Sequence, residues 1–140
     1  MNTQPGMTAA PPSFWVISLL STAWNAFGLM VYYLTQIRFP AVMAQTPPAV
    51  VKALDNAPPL MTGAWGLAVT AALAGSVLLL ARRKWAALAF ALSLAGLLVL
   101  TACQFATDMP MNAVQVVAIW IIALFLWRYA VKASAAGLLR

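Results

Sequence analysis

Between Leu60 and Ala106 the chain carries only three charged residues, and they are consecutive: Arg82, Arg83 and Lys84. The uncharged runs on either side, Leu60–Ala81 and Trp85–Ala106, each reach the roughly 20 residues an α-helix needs to cross a hydrocarbon layer. Inside that layer a backbone must satisfy its own hydrogen bonds, so an apolar run of this length is a helix. Two such helices joined by three residues form a tight antiparallel hairpin. Two further runs meet the same requirement, Phe14–Ile37 and Met111–Val131, the last with Arg128 in its final turn, where a long side chain snorkels to the headgroups. The fold class that follows is all-α: a polytopic membrane protein with four transmembrane helices in an antiparallel bundle. Residues 1–13 read as a polar N-terminal tail, 14–131 as the transmembrane domain and 132–140 as a cytoplasmic tail.

Charge content excludes the soluble alternative. Of 140 residues 64% are hydrophobic and 7% charged, against about a quarter charged in a soluble domain. The net charge of +6 does not point to nucleic acid, because the basic residues stand at the ends of apolar runs and act as topology signals. Arg82, Arg83, Lys84, Arg128, Lys132 and Arg140 fall on one side, and Arg38 and Lys52 on the other. The positive-inside rule makes the first group cytoplasmic, and an even number of spans gives an N-in/C-in protein. Trp15, Trp85, Trp127 and Tyr129 then lie near the cytoplasmic interface, and Tyr32, Tyr33 and Trp65 near the outer one. Trp24 and Trp120 lie deeper, where their indole N–H groups need partners in the bundle. A cleaved signal peptide is the rival reading of the first run, opposed by the absence of basic residues before it and by its length.

The outer loop, residues 38–59, has a pattern of its own. Thr46 is placed to cap a short amphipathic helix begun by Pro47 and Pro48, with Val50, Val51 and Leu54 on one face and Lys52 paired to Asp55. A linker without structure is the alternative. Asp108 is placed to cap the fourth helix just before Pro110.

Neither carboxylate, Asp55 nor Asp108, falls in a span, so no intramembrane acid marks a proton or ion path. With no histidine and one cysteine, Cys103, the usual general-base, metal and thiol routes have no candidates. No enzyme activity, catalytic residue, metal site or cofactor is expected. The clearest pattern is in the first span, where Ser18, Ser21, Thr22, Asn25, Gly28, Tyr32 and Gln36 recur every three or four residues along one inward face. A polar binding crevice is one reading, and interhelical hydrogen bonding is the other. In the second span Ala68, Ala72 and Ser76, with Ala71 and Gly75, put small residues four apart, which lets backbones approach closely. That face packs on a neighbouring helix or forms a homodimer seam. Ser93, Gly96 and Gln104 share a stripe of the third span, and Asn112 and Gln115 open the fourth. The amides concentrate toward the outer half, which a water-accessible vestibule facing outward would explain and simple proximity to the interface would explain as well. Candidate ligand-binding residues are Ser21, Asn25, Tyr32, Gln36, Gln104 and Gln115.

Several segments carry a family resemblance: Trp24-Asn25-x-x-Gly28 with Tyr32 or Tyr33, Thr46-Pro47, Trp65 with Gly75-Ser76, Arg82-Arg83-Lys84-Trp85, and the ending from Tyr129-Ala130 to Gly137-Leu138-Leu139-Arg140. In these the chain resembles a group of small bacterial inner-membrane proteins of about this length, uncharacterised and sometimes labelled sugar transporters. A looser likeness, in size and layout, is to the four-helix DoxX-like proteins. The resemblance implies four helices and an inner membrane, and supplies no substrate. Two functions remain open: non-enzymatic binding or passage of a small or lipid-like ligand, and service as an accessory or assembly subunit of a larger membrane complex.

Overall fold

The computed structural model describes residues 8–140. Among them are six helices and no strand: α1 (Pro12–Gln36), α2 (Pro40–Gln45), α3 (Pro48–Asp55), α4 (Pro59–Leu80), α5 (Trp85–Ala106) and α6 (Ala113–Ala135). The four long ones, α1, α4, α5 and α6, contain 22 to 25 residues and are apolar enough to cross a membrane. At 1.5 Å per residue each is at least about 33 Å long. The architecture is an all-α polytopic bundle. The polar tail expected over residues 1–13 lies outside the described residues as far as residue 7, and Pro12 and Ser13 already belong to α1. The fourth span begins at Ala113, later than Met111, and runs past Val131 to Ala135, because nothing before Gly137 interrupts it.

Prolines start these helices and left-handed residues stop them. α1, α2, α3 and α4 each open on a proline, whose fixed φ suits the first turn and whose missing N–H is no loss there. Each long helix ends in a Schellman turn, with a left-handed residue just past it. These residues are Arg38 (φ 54), Arg82 (φ 56), Asp108 (φ 49) and Gly137 (φ 77). Their amides donate to Thr35, Leu79, Phe105 and Ser134, and the next amides to Leu34, Leu78, Gln104 and Ala133. Asp108 therefore closes α5 and does not cap α6. Asn112 caps α6, its Oδ1 accepting from the amides of Val114 at 3.0 Å and Gln115 at 3.3 Å. Three residues separate Asp108 from that cap, too far for its carboxylate to serve the first turn.

The α4–α5 pair is the most intimately packed, α1 lies against α4, and α6 lies against α5. A Cβ built on Gly96 of α5 would come within 2.9 Å of the Ala68 amide nitrogen and 3.0 Å of the Ala64 carbonyl oxygen of α4. Beside this contact Ser93 Oγ donates to the Ala68 carbonyl at 2.8 Å. The small-residue face of α4 is thus used inside the chain. Leu19, Leu20, Phe27, Leu98, Ile121 and Phe125 are all exposed, and an apolar surface of this extent belongs in lipid. The chain is an integral membrane protein that crosses the bilayer more than once.

At the end of the bundle holding the α4–α5 turn, the core gathers Phe14, Leu79, Ala86, Phe90, Leu126, Ala130, Ala133 and Leu139. Phe14 stacks on Tyr129 at 6.3 Å, joining α1 to α6 there. The segment after α6 turns back on this cluster. Arg140 N donates to Arg82 O at 2.7 Å and Lys84 N to Arg140 O at 2.8 Å. Arg82 Nε donates to Leu138 O at 2.8 Å, and its terminal nitrogen to Thr8 O. Thr8 and Arg140 therefore meet at the same end, as an even number of crossings requires.

The other end differs from its expected detail. Two short helices, α2 and α3, replace the single one. Thr46 caps neither, because its Oγ1 donates back to the Val42 carbonyl at 2.8 Å. Asp55 pairs with Arg38 at 2.7 Å and not with Lys52, since the loop folds back on the end of α1.

Candidate functional site

Helices α1 and α6 flank the α4–α5 pair and come together chiefly through Phe14 and Tyr129 at the turn end. Above that contact they leave a chamber of about 270 Å³, walled by all four long helices. Its floor is formed by Phe90 and Leu126, both members of the buried cluster. Trp24, Gly28, Val69, Ile119 and Ile122 are among its walls. The lining contains no charged residue and three polar side chains of amide or hydroxyl type, Asn25, Ser93 and Gln115.

Asn25 is held by local chemistry that fixes its amide. Ser76 spends its only hydroxyl proton on the Ala72 carbonyl at 3.0 Å. It can then only accept from Asn25, whose Nδ2 donates to Ser76 Oγ at 2.7 Å. The Oδ1 of Asn25 receives no hydrogen bond from the described residues. The bond joins α1 to α4 at the chamber wall, so interhelical glue and cavity lining are one residue here.

Toward the loop end the chamber adjoins a vestibule of about 770 Å³. Val31, Trp65, Leu97, Leu100, Gln115 and Ile119 line both spaces, so the two adjoin. The vestibule is bounded by the ends of α1 and α5, the start of α6, and α3 through Val50 and Leu54. Gln36, Gln104 and Gln115 all line it, and none of the three side-chain amides hydrogen-bonds within the described residues. Its one charged lining residue is Arg38, already paired with Asp55.

Four of the six candidate residues meet these adjoining spaces: Asn25 in the chamber, Gln36 and Gln104 in the vestibule, and Gln115 in both. Ser21 and Tyr32 lie elsewhere. Ser21 is buried and donates to the Ser18 carbonyl at 3.2 Å. Tyr32 meets Trp65 edge-on at 5.0 Å and covers Gly66, where an added Cβ would sit 2.7 Å from its hydroxyl. Trp120 finds the partner its indole needs, donating to Thr101 Oγ1 at 3.1 Å. Trp24 does not, because it stands about 100° round the helix from Asn25, half exposed at the edge of the chamber. The apolar lining from Phe90, Leu97, Ile119 and Ile122 was missed in the sequence, where these residues look like any other span residues.

Comparison with protein-family models, curated proteins and solved structures finds no match to this chain.

Proposed function

We propose that the protein binds, or passes, a small lipid-like ligand in the chamber between its four long helices, and that it does so without catalysis. The observation that carries this reading is an apolar chamber, adjoining a wider vestibule that carries the amides of Gln36, Gln104 and Gln115, inside a protein whose outer surface already faces lipid. Chamber and vestibule together reach the several hundred Å³ of a ligand site, mostly apolar with a few placed polar groups. No carboxylate, thiol or imidazole lines the chamber, which leaves it suited to holding a molecule and not to transforming one. We place the protein in a bacterial inner membrane, as the family resemblance implies, with the α4–α5 turn cytoplasmic on the bias of basic residues toward that end. The vestibule then faces outward.

The test is retention of ligand by protein purified in mild detergent, read by native mass spectrometry. The chain itself should carry a bound amphiphile. Gly28→Phe and Ala118→Phe should lose it, since both positions line the chamber and a Cβ on Gly28 meets nothing within 4 Å. Retention undiminished in both folded variants would remove the chamber as the site. A stoichiometric large protein partner with no small ligand would favour the accessory-subunit reading instead.

A further inference from the structure

The vestibule sets a few amides in a mostly apolar lining and carries no unpaired charge, and that combination restricts what its occupant can be. Three side-chain amides, on Gln36 of α1, Gln104 of α5 and Gln115 of α6, border it without a hydrogen-bond partner among the described residues. A primary amide offers two donors and an acceptor, so together they suit hydroxyl or amide groups, which both give and receive. An anionic head needs a cation. Arg38 is the one cation lining this space, and the Asp55 carboxylate sits 2.7 Å from its guanidinium. A phosphate or carboxylate placed there would face a like charge as well as the opposite one. A cationic head fares no better, because no carboxylate lines the vestibule and Asp55, next to the lining residue Leu54, is already paired with Arg38. The chamber below offers an apolar chain room beside Val69, Leu97, Ile119 and Ile122, and no ion pairing at all.

Resting on the chamber as the binding site, we infer that the ligand is an uncharged amphiphile: an apolar chain in the chamber and a neutral, hydroxyl- or amide-bearing head among Gln36, Gln104 and Gln115. Free fatty acids and phospholipids, the zwitterionic ones included, are disfavoured because each charged group of the head would lack a free partner there, although the bilayer supplies phospholipids in excess. The amides select the head by hydrogen bonding and the chamber limits the chain.

The experiment offers the purified protein an equimolar mixture of three amphiphiles with the same single acyl chain: a monoacylglycerol, a lysophosphatidylglycerol and a lysophosphatidylcholine. Adducts are counted by native mass spectrometry. The monoacylglycerol should be retained over either phospholipid by about tenfold or more, since unmatched polar groups discriminate strongly. A Gln36→Leu/Gln104→Leu/Gln115→Leu variant should still bind but lose the preference, and should bind the three about equally. If that variant does not fold, Gln104→Leu and Gln115→Leu tested singly should each reduce it. Equal or preferred retention of lysophosphatidylglycerol by the native chain overturns the neutral head while leaving the chamber as the site. A preference untouched in every folded glutamine variant also overturns it. Retention of all three no greater than in Gly28→Phe removes the chamber and the inference together.

Discussion

Asn25 sits near the middle of α1, where an amide facing hydrocarbon would lose its water with no replacement. Its donor goes to Ser76 Oγ, and the consequence of removing it depends on what is left behind. Ser76 keeps its own bond to the Ala72 carbonyl, so Asn25→Ala strands no donor on α4. The loss is one interhelical bond, worth about 0.6 kcal/mol by the average for membrane proteins. Unfolding in a denaturing detergent should show a loss of about 1 kcal/mol or less. A loss several times larger would mean that Asn25 organises more of the bundle than its one contact. At Arg38, Arg82 and Asp108 the backbone takes a left-handed conformation without glycine, at a cost of roughly 1–2 kcal/mol each. Arg82 offsets this through bonds to Leu138 and Thr8 and Arg38 through Asp55, whereas the Asp108 side chain has no such bond among the described residues.

Among the elements, the α4–α5 interface has least freedom to adjust. The atoms nearest a Cβ on Gly96 belong to the backbone of α4, and a helix backbone cannot turn aside as a side chain can. Gly96→Ala should cost about 1–3 kcal/mol as an overpacking change. Gly63 lies on the same α4 helix with nothing within 4 Å of its Cβ, so Gly63→Ala should be neutral or stabilise by up to about 1 kcal/mol through helix propensity. Thermal unfolding of the two variants side by side checks the contrast. Equal stability of both would show that α4 and α5 do not approach as closely as the Gly96 contact requires. The loosest elements are α2 and α3, which have no buried residue. The ion pair that ties α3 back to the end of α1, Arg38–Asp55, is about half exposed, and exposed pairs of that kind contribute at most about 1 kcal/mol.

For the whole molecule, one end is tied and the other is open. The turn end is closed by the buried cluster and by the return of residues 138–140 onto Arg82 and Lys84. The loop end holds the vestibule. Single-cysteine labelling on a Cys103→Ser background reads the direction in which each end faces. In intact cells a cysteine replacing Val50 should react with an impermeant reagent from outside, and one replacing Arg83 only after the cytoplasmic face is exposed. Both positions reacting from the same side would sink the topology, because Val50 and Arg83 flank a single span.

The sequence by itself determined four membrane-crossing helices, their boundaries to within a few residues and the tight α4–α5 turn, because hydrophobic length and the lack of charge are local properties that lipid enforces directly. It also showed that the first-span polar face and the small-residue face of the second turn inward, since helical periodicity alone places residues such as Asn25, Ala68 and Ser76. It did not determine which amides share a space. Gln36, Gln104 and Gln115 come from three helices, and Ser21 follows the same spacing as Asn25 yet bonds to its own backbone. The Arg38–Asp55 pair, the Asn112 cap and the return of Arg140 onto Arg82 were decided by tertiary structure. Each depends on where a chain reversal brings distant residues together, and no periodicity records that. The chamber depends on the same level, because a void between helices is set by how far α1 and α6 splay above Phe14, not by the residues of either helix alone.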